Sequence, residues 1–159
     1  MKNALTETDK SREGINLNKL AQLFRLFLPR NTATLAYLER FTDLDIGKIR
    51  ELTGVHIKGI ILDIDGCVAE NHSAIRPENV EHIKELIARG VKFVVLSNMK
   101  KSPRYDVLGE DVPVLTNSKP KPDSGGFEEA CRKLGVPREN IVMVGDNYIT
   151  DGGAIRLGI

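Results

Sequence analysis

Neither sign of charge is in excess: 23 Lys and Arg stand against 22 Asp and Glu, for a formal net charge of +1. Nothing in that balance calls for a nucleic-acid partner, so partners must be read from local groups. Cysteine is scarce as well. Cys67 and Cys131 lie far apart and form no CxxC pair, which excludes a disulfide framework and suits a reducing, cytoplasmic compartment. No stretch reaches the roughly 18 consecutive apolar residues that a membrane-spanning helix requires. The first residues also lack a charged region followed by an apolar one and a cleavage site, so the expectation is a soluble protein or one peripheral to a membrane. Metal-ligand spacing is missing among His56, His72 and His82. His56 reads as strand-flanking, His82 as helix surface, and His72 as a loop position that is either solvated or in reach of substrate.

What is present is an alternation. With 159 residues the chain suits one domain with a sizeable core. Residues 1–14 are polar without a period and read as a flexible tail. Over 15–28, Leu20, Leu23, Phe24, Phe27 and Leu28 recur at helical spacing opposite Lys19, Gln22 and Arg25, until Pro29 stops the pattern. A further helical segment is expected over 34–40, and LDIGKIRELTG reads as another closed by Gly54, which makes 15–54 a helical preface. The core is expected over 55–159. Short apolar runs at 56–64, 92–97, 112–116 and 140–146 suit buried parallel strands. Between them lie amphipathic helices, one opening at Pro77 and closing at Gly90, one closing at Gly135; 98–111 leaves room for only a short helix. Strands alternating with helices imply an α/β fold with a parallel sheet, whose ligands sit at the carboxyl ends of the strands.

The polar residues that can carry chemistry fall at those ends. Asp63 and Asp65 close the first strand, Ser97 and Asn98 the second, Gly145 and Asp146 the fourth. Two carboxylates about 4 Å apart repel by about 4 kcal/mol at an effective dielectric near 20, so the DxD at 63–65 needs a cation. Paired acids, a hydroxyl, a lysine and the second acidic pair in GDNYITD suit Mg²⁺ and a phosphate, since Mg²⁺ takes oxygen ligands from one or two carboxylates plus substrate phosphate.

The stretches IILDIDGCV, FVVLSN, KPKPDSGGF and IVMVGDNYITDGG, in that order, resemble the four motifs of the haloacid dehalogenase (HAD) superfamily of aspartyl-phosphate phosphatases. The preface LPRNTATLAYLERFTDLDIGKIRELTG is similar to that of the YqeG-type branch of subfamily IIIA, which includes phosphatidylglycerophosphate phosphatases, so the resemblance covers roughly 25–159. It implies a three-layer sandwich of the HAD-like Rossmannoid kind. It further implies that Asp63 is the nucleophile, that Asp65 is the general acid and base with its backbone carbonyl on Mg²⁺, and that Asp146 and Asp151 complete the metal site with Asp63. Asp151 has a plainer reading as a helix cap. Ser97 would donate to the phosphoryl oxygen, with Asn98 and Gly66 as further substrate-binding candidates. For the phosphate-binding lysine, the aromatic Phe127 six positions on points to Lys121, whereas a KPxP reading favours Lys119.

Two departures from the family pattern stand out. Cys67 occupies a position usually held by Thr or Val and reads as a small buried group, not a nucleophile. Family members continue with another strand where this sequence ends in AIRLGI, so the fourth strand is expected at a sheet edge, with the oligomeric state left open.

Neither 66–96 nor 98–120 can hold a cap domain, so the site is expected to be open to large substrates. The helix over 15–28 either lies on an anionic bilayer or packs on the core. Lys100 and Lys101, beside Ser97, read as a charged loop face or as contacts to an anionic headgroup. These features and the resemblance make phosphatidylglycerophosphate the expected substrate, with a soluble nucleotide or sugar phosphate as the alternative. A receiver-like phosphoryl-binding module fits less well, because receivers carry an acid on a later strand and VPVLT carries none. A scaffold with a decayed site would have lost at least one of its four acids.

Overall fold

The structure, a computed structural model, describes residues 34–159 and, before them, Leu17 and Leu20 alone. The expected tail, and all but those two residues of the helix expected over 15–28, lie outside the described residues.

Four short parallel strands form one sheet: β1 (Gly59–Leu62), β2 (Lys92–Leu96), β3 (Val114–Leu115) and β4 (Ile141–Val144), in the order β3-β2-β1-β4. Side chains alternate across a strand with a period of two, and the sequence uses both faces. Ile60, Leu62, Phe93, Val95 and Val142 point to one side, where Val80, Ile83 and Leu86 of helix α2 (Pro77–Ala88) cover them. Ile61, Val94, Leu96 and Ile141 point to the other, against Phe127, Ala130 and Leu134 of helix α3 (Ser124–Leu134). Ile60, Ile61 and Leu62 have no exposed surface, and each buried side chain of this size contributes about 1.5–3 kcal/mol. Burial on both faces is why β1 reads as an unbroken apolar run. The architecture is the three-layer α/β arrangement expected.

The turn chemistry agrees with the sequence. Helix α1 (Ile46–Thr53) opens on Asp45, whose carboxylate accepts from the Gly47 and Lys48 amides at 2.8 and 3.1 Å. It closes at Gly54 in the left-handed region. Pro77 starts α2 and Asp123 caps α3. The short segment after β2 is a 3-10 turn, Pro103–Leu108, capped by Ser102.

One expectation fails. No helix forms over 34–40: residues 34–38 have no regular structure and Glu39 and Arg40 make a bend before a 3-10 turn, Phe41–Asp43. Its apolar residues find no core to face, since Leu35, Tyr37 and Leu38 are exposed, and a two-turn helix without packing does not repay its nucleation. Only Phe41 enters the core, edge-on to His82 with ring centroids 5.5 Å apart.

Register brings the strand ends level. Leu62 pairs with Val95 on one side and Val144 on the other. Asp63 donates its amide to the Val144 carbonyl at 2.9 Å, and Ser97 donates to Leu115 at 3.1 Å. The residues after β1, β2 and β4 therefore leave the sheet side by side. Along the β4 edge runs a groove of about 720 Å³, bordered by residues 34–41 and by the final 3-10 turn, Gly152–Leu157.

Candidate active site

Asp63 follows β1 directly, and its side chain is locked at both oxygens: Oδ1 accepts from the Ile64 amide at 2.9 Å and Oδ2 lies 2.8 Å from Lys121 Nζ. The same ammonium donates to Asp151 Oδ1 at 2.6 Å. Lys121, with 2% of its surface exposed, is among the most buried side chains described. Burying a cation costs several kcal/mol unless opposite charge and hydrogen bonds offset it, and two carboxylates do so here. Lys119, by contrast, is exposed and comes no nearer to an acid than 4.0 Å, to Asp123. Of the two candidates, Lys121 alone reaches the aspartates.

Asn98 explains why. Its Oδ1 accepts from the Lys121 amide at 2.7 Å, and its Nδ2 donates to the Lys121 carbonyl at 3.2 Å. The side chain thus clamps the peptide unit of the lysine to the end of β2. The amide that the sequence offered for substrate binding is engaged in positioning.

Asp151 ends the short helix α4 (Tyr148–Asp151), and its Oδ2 accepts from the Asn147 amide at 3.1 Å. It makes no side-chain cap to the turn that follows, so the plainer reading of this residue does not describe its contacts. Asp146 completes the cluster: one oxygen from each of Asp63, Asp146 and Asp151 lies within 4.8 Å of the others. Two glycines make the space. A Cβ on Gly66, which sits at φ +78°, would collide with the Asp146 carboxylate, and a Cβ on Gly145 would collide with that of Asp151.

Three carboxylates share one ammonium. At 4.8 Å each like-charged pair costs about 3–4 kcal/mol at an effective dielectric near 20. Burial, with Asp63 adding to it, raises the Asp146 carboxyl above its usual range. Burial pushes the Asp151 carboxyl up to about 7, with Lys121 opposing and Asp63 reinforcing the rise. Burial alone would lower Lys121, but Asp151 and Asp63 outweigh it and hold the ammonium charged. The cluster is short of positive charge and offers only oxygen donors, a set that fits a hard divalent cation. Cys67 is partly buried beside it, its thiol pushed up to about 12 by burial and by the Asp63 charge, which leaves no thiolate at neutral pH.

Asp65 is built differently. Arg104 grips it by both oxygens, Nη1 to Oδ1 at 2.7 Å and Nη2 to Oδ2 at 2.5 Å, and the His72 amide donates to Oδ1 at 2.8 Å. His72 adopts φ 61° to do so, a conformation non-glycine residues seldom take. Burial opposes the ionised form, but the Arg104 and His72 hydrogen bonds prevail and lower the Asp65 carboxyl below its usual range. Arg104 also donates to the Tyr105 hydroxyl at 3.1 Å, which donates to Ser97 Oγ at 3.3 Å; the Met99 amide donates to the same Oγ at 3.1 Å. With both acceptor positions of Ser97 filled, its own hydrogen remains to be donated. Sequence reasoning passed over Arg104 and Tyr105. The only signal was the basic loop KKSPRY following Ser97, and no local period reports a contact 39 residues away.

Comparison with known proteins identifies the family. The family model of haloacid dehalogenase-like hydrolases matches residues 31–157. Over 99 residues the chain is 28% identical to the probable phosphatase YqeG of Bacillus subtilis, covering 60% of this chain and 56% of that protein. Over 116 residues it is 28% identical to phosphatidylglycerophosphate phosphatase 1, chloroplastic, of Chlamydomonas reinhardtii, covering 64% and 42%. The chain thus spans about half the length of the curated relatives it matches. An uncharacterized protein from Listeria monocytogenes serotype 4b shares the fold in its crystal structure, with a TM-score of 0.51 and 22% identity over 65% of this chain and 75% of that one. On a match that runs from before α1 to the turn after α4, the chain belongs to the haloacid dehalogenase-like hydrolases.

Proposed function

We propose that this chain is a Mg²⁺-dependent phosphomonoester hydrolase that forms an aspartyl-phosphate on Asp63, with phosphatidylglycerophosphate as its substrate. The observation that carries the reading is Lys121 Nζ fixed between Asp63 Oδ2 and Asp151 Oδ1 at 2.8 and 2.6 Å, with Asp146 closing the cluster.

Asp63 attacks phosphorus and the bond to the substrate's alkoxide breaks, so one hard displacement becomes two easier ones. Asp65 gives the alkoxide its proton, then takes one from the water that attacks phosphorus and frees Asp63 and inorganic phosphate. Lys121 and the Ser97 hydroxyl offset the charge on the phosphoryl oxygens. Mg²⁺, held by Asp63, Asp146 and Asp151 with the Asp65 backbone carbonyl, would supply the charge neutralisation that lets one carboxylate approach an anionic phosphoryl group. Gly66 leaves the room that this crowding requires.

The lipid substrate is supported by the activity for which the Chlamydomonas relative is named. It is also supported by the intervals on either side of Ser97, which hold only loops, α2, β2, one 3-10 turn and β3 and leave the phosphate site uncapped. No helix among the described residues is long and apolar enough to cross a membrane; the enzyme would act from the cytoplasm as a peripheral protein.

Phosphate release should be measured from phosphatidylglycerophosphate in mixed micelles beside a panel of soluble phosphomonoesters, with Mg²⁺ and with a chelator. Release that needs Mg²⁺, is lost in Asp63→Asn and is fastest on the lipid is expected. Near-normal turnover by Asp63→Asn overturns the nucleophile, and equal or faster release from a soluble ester overturns the lipid.

A further inference from the structure

A second cavity of about 200 Å³ has walls that include His72, Lys100, Lys101 and Arg104. No acidic residue lines it. It meets the catalytic cluster at Asp65, through the Arg104 guanidinium and the His72 amide. A guanidinium fork matches a carboxylate and a phosphate by the same two parallel hydrogen bonds. The Arg104 guanidinium lies over the Tyr105 ring, with Cζ 5.0 Å from its centre, and 10% of the side chain is exposed. Arg104 lines the pocket while it holds Asp65, so an anion seated there meets the same residue. Asp65, meanwhile, must reach the leaving oxygen to act as acid, and an arginine engaged with both of its oxygens competes with that contact.

We propose that this basic pocket is a subsite for a second anionic group of the substrate, a phosphate or phosphodiester a few bonds from the phosphate that is cleaved, and that Arg104 exchanges Asp65 for it. The inference rests on the phosphatase reading and adds to it a requirement on the substrate. A doubly anionic ester fills the pocket and draws Arg104 away, so Asp65 is freed only when that ester is seated. An ester with a single phosphate leaves Arg104 on Asp65. Lys100 and Lys101 supply charge to the pocket, and their place in it, away from Asp63, Asp146 and Asp151, is what a specificity role predicts and a purely structural Asp65–Arg104 pair does not.

The test is titration calorimetry of the full chain carrying Asp63→Asn, so that ligand is bound and not consumed, in the presence of Mg²⁺. Glycerol phosphate and glycerol bisphosphate form a soluble pair that differs by one anionic group. Phosphatidic acid and phosphatidylglycerophosphate in mixed micelles form a lipid pair that differs by a diester. The doubly anionic member of at least one pair is expected to bind about 10-fold tighter or more, and adding Lys100→Ala and Lys101→Ala is expected to bring the ratio below about 3. A preference in the soluble pair assigns a phosphate, and one in the lipid pair alone assigns the diester. No preference in either pair, or one that survives loss of both lysines, overturns the subsite. Failure of the phosphatase reading is a separate result, an absence of phosphate release by the unsubstituted chain whatever the binding ratios.

Discussion

Lys121 and Arg104 are both cations paired with aspartates of the candidate site, yet the two pairs differ in nearly every physical respect. Lys121 is 2% exposed and divides a point charge between Asp63 and Asp151, which approach from different directions. Arg104 and Asp65 are 10% and 20% exposed and meet face to face in a planar fork. A lysine ammonium suits the first task because its three donors rotate, and a guanidinium suits the second because its donors are fixed in a plane. The difference separates a buried pair suited to scaffolding from the pair that the proposed subsite makes exchangeable. Removing a partner from a deeply buried pair leaves an unpaired charge and costs about 3–5 kcal/mol. At the Asp65–Arg104 pair an incoming anion would compete for the same guanidinium fork.

Lys121→Met is the severest way to break that comparison. It leaves three clustered carboxylates with no cation, and is expected to lower stability by about 3–5 kcal/mol in urea unfolding and to abolish phosphate release. Mg²⁺ should restore part of the lost stability, because it opposes the same repulsion. Stability unchanged from the parent chain would show that the ammonium is not holding the cluster.

Asn98→Ala is expected to have the next largest effect, about 1–3 kcal/mol, since it strips the Lys121 amide and carbonyl of their buried partners. Its activity loss should follow from misplacement of Lys121, so kcat should fall more than KM rises.

The cluster also predicts a pH dependence of modest size. Asp146 and Asp151 hold protons in the folded chain that the unfolded chain has released, since both carboxyls are raised above 3.8 on folding, Asp151 to about 7. The Asp151 contribution is therefore present below about pH 4 and lost as pH rises through about 7, and the Asp146 contribution likewise falls as pH rises. Asp65, lowered on folding, acts in a separate window, and its contribution is lost as pH falls below about 4. Thermal unfolding should show Tm of the metal-free chain falling from pH 5 to pH 8, and Mg²⁺ raising Tm by a few degrees more at pH 8 than at pH 5. An equal Mg²⁺ effect at both values would argue against the carboxylates as its site. Lys119→Ala should do least, within about 0.5 kcal/mol and with phosphate release intact, as expected for an exposed side chain away from special contacts.

Much of this was legible in the residues and some of it could not be. Ile60, Ile61 and Leu62 are apolar on both faces because the strand is covered on both, so β1 announces itself. The strand-end acids follow from the rule that parallel sheets present their carboxyl ends to ligands. Segment 34–40 misled because apolar spacing reports a helix only where a core exists to receive it. Asn98 was legible as a site residue but not as a clamp, since its partner lies 23 residues on. Arg104 was hidden for the same reason, its partner being 39 residues back.

The central claim is that Asp63 takes the phosphoryl group before water does. A phosphomonoester made chiral at phosphorus with oxygen isotopes, turned over with Mg²⁺ by the unsubstituted chain, tests it most directly. Two successive in-line displacements, first by Asp63 and then by water, give retention of configuration at phosphorus. Inversion would mean that water attacks the ester directly, and would contradict the account.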